Sequence, residues 1–158
     1  MMGITFFSYS SIAAMAAAPL PVEQKSVSLE MASMLTDAAL SSCRSMDRDA
    51  VVAVVDRSGN LIALKRGDSV GPHNTRAAER KAFTALSTKT GTTKLAERAA
   101  TDPGSRYLSS VPDLLLLGGG LPVIYQREVI GGIEVAGSGG SVSDEQCARA
   151  ALAQVVGQ

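Results

Sequence analysis

The chain has 158 residues, of which 46% are hydrophobic and 19% are charged, a composition typical of a folded globular protein. Its formal net charge is zero and no segment concentrates lysine and arginine, which argues against a nucleic-acid-binding surface. With a single histidine, the chain has no Cys/His cluster of the kind that binds zinc.

Residues 1–20 differ in composition from the rest of the chain. Their apolar stretch ends in Ala14-Met15-Ala16, a small-residue pattern that resembles an export cleavage site, although no lysine or arginine precedes it. The stretch is too short and too polar for a transmembrane helix. It predicts a signal peptide or a disordered extension, with an exported, periplasmic location favoured over a cytoplasmic one. The remaining residues 28–156 are predicted to form a single domain.

The first half of this domain reads as a helix followed by a β-hairpin. A helical pattern runs from Ser28, a suitable N-cap, to about Arg44. The run Ala50–Asp56 is rich in valine and has no polar face, which predicts a central strand buried on both sides. After a turn that contains Gly59, the segment Leu61–Arg66 predicts the returning strand.

Two helices and further strands are predicted next. The pattern is strongly helical from about Thr75 to Thr88, and Ala78, Ala82 and Ala85 give that helix a narrow face for close packing. A second helix is predicted over Thr93–Ala100.

Three apolar runs and a helix complete the predicted architecture. Leu114–Leu117 is a short apolar run, and a polar link at Arg127-Glu128 joins the next two predicted strands. The chain ends in a helix with Ser143 as its N-cap. Hairpin connections predict an antiparallel sheet with helices packed against it, an α+β fold. The predicted strands and helix are Leu114–Leu117, Leu121–Gln126, Val129–Gly137 and Ser143–Val156.

Four sulfur-containing side chains are predicted to serve as packing. Met31 and Met34 fall at helical spacing on the face that should meet the core. Cys43 and Cys147 are far apart in sequence and each lies in a helical pattern. They pair only if the fold brings them together, and small apolar core residues are the favoured interpretation.

The glycines do not fit a phosphate-binding motif. Gly118–Gly120 lead into a strand, whereas a P-loop opens a helix, and no Lys-Ser/Thr pair follows them. Their spacing therefore favours a turn or bulge, with Gly131 and Gly132 allowing close packing inside a strand. A glycine-lined sheet of this kind also leaves room for a flat ligand against the backbone.

Five blocks of sequence carry a family resemblance. They are VAVVDRSGNLIALKR (52–66), AERKAFTA (78–85), YLSSVPDLLLLGGGLPV (107–123), VIGGIEVAGSGG (129–140) and DEQCARAAL (144–152). Together and in this order they resemble the GlcG/HbpS-like haem-binding family, whose domain also forms the C-terminus of PduO-type corrinoid adenosyltransferases. Two departures stand out, because Glu134 and Ala136 occupy positions where the family pattern has glycine and serine.

The resemblance implies a profilin-like fold of α/β/α layers, with a five-stranded antiparallel sheet and flanking helices. It also implies a homo-oligomer that binds haem or another tetrapyrrole in haem sensing, sequestration or degradation. The alternative is an accessory oligomer of a glycolate- or corrinoid-linked pathway that binds no haem. A third, weaker alternative is a catalytic domain acting on a small metabolite, although the residues show no catalytic constellation.

Given the resemblance, His73 is the predicted axial iron ligand, since neutral imidazole suits haem iron. Taken alone, it reads as a surface or N-capping residue. Tyr107 and Tyr125 are alternative oxygen ligands, although Tyr107 is more simply a strand-flanking core residue. Haem propionates favour cations at the mouth of a pocket. The predicted cofactor contacts are His73, Arg76, Arg80, Lys81, Tyr107, Gly118, Gly119 and Gly120.

Overall fold

The structure, a computed structural model, describes residues 19–158, so the predicted export segment lies almost wholly outside the described residues. Within that range, no helix combines the length and apolar character needed to cross a membrane. In chain order the elements are helix α1 (Leu29–Ser45), strands β1 (Val51–Asp56) and β2 (Leu61–Arg66), helices α2 (His73–Thr88) and α3 (Thr92–Thr101), a 3-10 turn (Leu108–Ser110), strands β3 (Gly120–Tyr125) and β4 (Glu128–Ala136), and helix α4 (Ser141–Val155).

The sheet is antiparallel throughout, in the order β2-β1-β4-β3, and helices cover both of its faces. Because side chains alternate along a strand, Val52 and Val54 of β1 pack beneath α1 and α4, whereas Ala53 and Val55 pack against α2. The prediction that β1 is a central strand, buried on both faces, is confirmed. The α+β class and the layered arrangement follow the prediction.

The predicted five strands are wrong, because the sheet has four. Leu114–Leu117 forms no strand and instead runs beside α2. The Leu115 N–H donates to Thr84 Oγ1 (2.8 Å), and the Arg80 guanidinium donates to the Leu114 carbonyl (2.9 Å). Side chains of α2 thus satisfy backbone groups that a strand neighbour would otherwise have satisfied.

The edge of β3 is also occupied. The Gly120 N–H donates to Thr92 Oγ1 (2.9 Å), and the Ile124 N–H donates to Gln158 Oε1 (2.7 Å). Between them, Pro122 has no N–H to offer, and its carbonyl accepts a hydrogen bond from the Gln158 amide (3.0 Å). Side chains therefore stand where a fifth strand would have paired.

Helix boundaries follow the predictions at the start of α1 and the end of α2, and differ by one or two residues elsewhere. Ser28 caps α1 as predicted, with its Oγ accepting from the Met31 N–H at 3.1 Å. Helix α2 begins at His73, two residues earlier than predicted. Ser143 is not the N-cap of α4, which begins at Ser141. The Ser143 hydroxyl instead donates to the Ser138 carbonyl.

The two cysteines are bonded to each other, so their prediction as separate apolar core residues is wrong. Cys43 of α1 and Cys147 of α4 form a disulfide with a Cα–Cα distance of 5.4 Å. The fold brings together positions that are 104 residues apart, which local sequence pattern does not encode. The predicted core position of Met34 is also wrong, because 52% of this side chain is exposed.

The predicted close packing at the paired glycines of β4 is confirmed. A Cβ atom at Gly132 would lie 2.3 Å from the Ala82 carbonyl oxygen of α2. Ala78, Ala82 and Ala85 are all buried, so the narrow alanine face of α2 lies close against the sheet, as predicted.

Candidate functional site

Three predicted ligand contacts share one exposed face of α2. His73, Arg76 and Arg80 are spaced three and four residues apart, so they follow one another along the same side of the helix. At 1.5 Å per residue, the row is about 10 Å long. Arg80 anchors the Leu114 carbonyl, whereas His73 and Arg76 make no side-chain hydrogen bond or ion pair with any residue from 19 to 158. Among the described residues, the imidazole and the Arg76 guanidinium are therefore exposed and unpaired.

Lys81 does not belong to this row. Unlike Arg76 and Arg80, which are exposed, Lys81 is buried, with only 1% of the residue accessible to solvent. Its ammonium donates to the Gly118 carbonyl (2.8 Å) and to the Val135 carbonyl (3.0 Å). A lysine held in this way cannot reach a ligand on the exposed face of α2.

Lys81 is the centre of a buried charge cluster. Its ammonium forms an ion pair with Glu134 of β4, which is fully buried, and lies 3.7 Å from a carboxylate oxygen of Asp144 in α4. Asp144 also accepts from the N–H (2.8 Å) and the hydroxyl (2.6 Å) of Ser138. Glu134 receives no comparable help, because no hydrogen-bond donor of the described residues satisfies either of its oxygens apart from the ammonium contact.

Burial raises the pKa of the Glu134 carboxyl well above its ordinary value. The Lys81 ammonium opposes this shift, while the nearby Asp144 and Glu145 carboxylates reinforce it. The loss of hydration dominates because the side chain is fully buried and poorly hydrogen-bonded. Glu134 therefore favours its neutral form to a higher pH than an exposed glutamate does.

The triple glycine packs onto this cluster. A Cβ atom at Gly119, whose φ is +120°, would lie 2.7 Å from both Glu134 Oε1 and the Val135 carbonyl oxygen. A Cβ atom at Gly118 would meet Thr93 Oγ1 at 2.5 Å, and one at Gly120 would meet the Lys81 carbonyl oxygen at 2.7 Å. Protein atoms already fill the space on the Cβ side of all three residues. These glycines therefore allow the backbone to approach the cluster closely.

The two tyrosines considered as oxygen ligands are both exposed. Tyr107 is 67% exposed and lies under the Arg106 guanidinium, with 4.7 Å between the guanidinium carbon and the ring centre. The simpler interpretation of Tyr107 as a core residue is therefore wrong. Tyr125 is 42% exposed at the end of β3, beside the Lys25 ammonium.

A polar cleft of about 530 Å³ at the end of β2 is a weaker site for an anion. Arg44, Arg48 and Arg66 line it, but three aspartates line it as well, so the positive charges are balanced. One of these, Asp49, accepts from the hydroxyl and N–H of Ser69, which lowers the pKa of its carboxyl. Such a cleft has no excess charge with which to hold an anion.

Two sequence signals could have revealed the buried cluster. Lys81 lies three residues after Ala78 and four before Ala85, so its spacing places it on the predicted alanine face. Glu134 is the single charged residue between Val129 and Gly140. A charge in a buried strand needs a partner, but sequence spacing did not show that Lys81 supplies it.

Within the range 19–158, no three His, Cys, Asp or Glu side chains converge as a metal site.

Comparison with known families agrees with this architecture. The family described as haem degrading protein HbpS-like matches residues 27–153, most of the described chain. The chain belongs to the HbpS-like family. A variant of HbpS from Streptomyces reticuli is 38% identical to this HbpS-like chain, with a TM-score of 0.80 over 92% of this chain and 99% of that one.

Two further relatives extend the comparison. The structure of a PduOC:heme complex is 26% identical, with a TM-score of 0.71 over 80% of this chain and 92% of that one. A 15.0 kDa protein from the dhaT-dhaS intergenic region of Citrobacter freundii is 29% identical over 76% of this HbpS-like chain and 84% of its own length.

Proposed function

We propose that this chain binds haem or a related tetrapyrrole on the exposed face of α2. The observation that carries the proposal is the position of His73 and Arg76, which are exposed, one helical turn apart and without side-chain partners among residues 19–158. The similarity to the structure of a PduOC:heme complex supports haem as the ligand class.

The side chains on this face fit the chemistry of haem. A neutral imidazole nitrogen of His73 is a suitable axial ligand for iron. The planar guanidinium of Arg76 can pair with a propionate carboxylate through two hydrogen bonds. When bound, haem supplies a redox-active iron. The residues of this chain hold and orient the group.

A site on the exposed face of α2 includes only some of the haem contacts predicted from the sequence. Lys81 and Gly118–Gly120 lie in or against the buried cluster, so we leave them out of the proposed haem contacts. Arg80 is a secondary contact because it already donates to the Leu114 carbonyl. Tyr107 remains the alternative iron ligand, since its ring is exposed.

Titration of the full chain with haemin, followed at the Soret band, tests the proposal. We expect a saturable, red-shifted band that is lost in His73→Ala and weakened in Arg76→Gln. A matched control is Lys94→Gln, which removes an exposed cation from α3 and should leave the titration unchanged. A band that survives His73→Ala but is lost in Tyr107→Phe would move the iron ligand to the tyrosine.

The absence of any saturable change would overturn the haem proposal. That result would favour the accessory oligomer of a glycolate- or corrinoid-linked pathway. If haem does bind, adding ascorbate or peroxide distinguishes two roles. Loss of the Soret band with release of iron supports haem breakdown, whereas a stable band supports sensing or sequestration.

A further inference from the structure

The Cys43–Cys147 disulfide links the two helices that cover one face of the sheet. Both cysteines are fully buried, within the apolar cluster that also contains Leu35, Ala39 and Leu152. The sequence contains no other cysteine, so no neighbouring thiol is present to form or exchange this bond. The oxidant must therefore come from outside the chain.

The burial of both sulfur atoms restricts when an oxidant can act. Thiol–disulfide exchange requires a thiolate to approach a sulfur of the incoming disulfide through a mixed-disulfide intermediate. In the folded chain, α1, α4 and the sheet surround both cysteines, which leaves no room for an external disulfide. The exchange must take place before α1 and α4 close on each other.

We propose that the Cys43 and Cys147 thiols are oxidised in a non-reducing compartment by an external disulfide, before α1 and α4 pack together. One cysteine thiolate attacks the donor disulfide, forms a mixed disulfide and releases one donor thiolate. The second cysteine thiolate then attacks the chain's own sulfur and releases the other. The two chain thiols lose two electrons and two protons, and the donor disulfide is reduced to two thiols.

This order of events has a second consequence. Disulfides persist in oxidising compartments, whereas cytosolic thiol systems keep cysteines reduced. Once the helices have closed, the same burial that excludes an oxidant also excludes a reductant. The native bond therefore survives brief contact with reducing agents, independently of whether haem is bound.

Refolding of the reduced full chain tests the timing. Thiols are counted from the mass shift after maleimide alkylation in denaturant, and Cys43→Ala calibrates the signal of one thiol. We expect rapid oxidation when glutathione disulfide is present during refolding, and slow oxidation when it is added after refolding. A reduced chain that stays unfolded until it is oxidised supports the same order. Equal rates in the folded and unfolded chain would overturn it.

The compartment is tested by producing the full chain in the cytosol and in the periplasm of one bacterial host. We expect two free thiols in the cytosolic protein and none in the periplasmic one. A complete disulfide in the reducing cytosol would overturn the assignment. Glutathione disulfide added alone, or together with a dithiol oxidase protein, distinguishes a small-molecule donor from a protein donor. A haemin titration of Cys43→Ala/Cys147→Ala separates this proposal from haem binding, because the disulfide lies apart from His73.

Discussion

The Lys81 ammonium and the Glu134 carboxylate form an ion pair at a point where neither side chain reaches solvent. Lys81 comes from α2 and Glu134 from β4, and Asp144 adds a second carboxylate from the first turn of α4. One buried cluster therefore connects helices on opposite faces of the sheet to a central strand. Its charges are unequal, with one cation facing two carboxyl groups, so protonation of Glu134 balances the cluster.

We predict that stability depends on pH through Glu134. The pKa of its carboxyl in the folded chain is raised from an ordinary value of 4.5, so the folded state keeps the proton to a higher pH than the unfolded state does. The unfolding free energy should therefore decline as pH rises from the ordinary value through the raised one. Glu134→Gln, which is neutral at every pH, should lack this decline.

Urea denaturation midpoints of the wild type and Glu134→Gln across this pH range measure the effect. Glu128→Gln is the matched control, because Glu128 is an exposed glutamate on the same strand. Parallel pH profiles for the wild type and Glu134→Gln would show that Glu134 has no raised pKa.

We predict that Lys81→Met destabilises the protein by about 3–5 kcal/mol, the usual cost of removing one partner of a buried ion pair. The substitution leaves two buried carboxyl groups and the Gly118 and Val135 carbonyls without the ammonium. The double variant Lys81→Met/Glu134→Leu should recover part of the loss, since it removes the less well hydrogen-bonded carboxyl as well. A double variant less stable than Lys81→Met alone would contradict this account.

We predict that Gly119→Ala is more destabilising than Gly140→Ala. Both glycines have positive φ values, +120° and +130°, which L-residues rarely adopt and which cost an alanine about 1–3 kcal/mol. Only at Gly119 would the new Cβ also collide with Glu134 and the Val135 backbone, which adds roughly 1–3 kcal/mol of overpacking. Thermal unfolding measures the loss of stability in both variants: Gly140→Ala reports backbone strain alone, and Gly119→Ala reports strain together with the collision. Equal losses would mean that the backbone near Gly119 relaxes freely.

We predict that Thr92→Val costs about 1–3 kcal/mol, because it leaves the buried Gly120 N–H without its acceptor. Valine closely matches threonine in shape, so packing changes little. Thr101→Val at the exposed end of α3 is the control and should change stability by less than about 0.5 kcal/mol. Urea denaturation midpoints of Thr92→Val and Thr101→Val, each compared with the wild type, measure the two losses of stability. A Thr92→Val variant as stable as its control would mean that the N–H finds another acceptor.

Local patterns were sufficient to predict most of the secondary structure. The 3.6-residue periodicity of α1 and α2, the Ser28 cap and the unbroken apolar run of β1 depend on neighbours in sequence, which a single chain displays. The alanine face of α2 correctly predicted close contact with the sheet.

The errors concern contacts between distant residues. Leu114–Leu117 has the composition of a strand, but Thr84 and Arg80 hold it beside α2, and nothing near the segment in sequence reveals these partners. The disulfide was missed for the same reason, because its two cysteines are 104 residues apart. In the candidate site, His73 was expected ahead of α2, whose predicted start was Thr75, but the helix begins at His73. The predicted contact through Lys81 depended on which face of α2 meets the sheet.

The occupied edge of β3 limits how copies of the chain can associate. An exposed edge strand recruits another strand through its free N–H and carbonyl groups. Here the Thr92 hydroxyl accepts from the Gly120 N–H. The Gln158 side chain accepts from the Ile124 N–H and donates to the Pro122 carbonyl, and Pro122 itself has no N–H. A second copy that extended the sheet at β3 would first have to displace the Gln158 side chain. Any homo-oligomer is therefore expected to form through helix faces or the β2 edge.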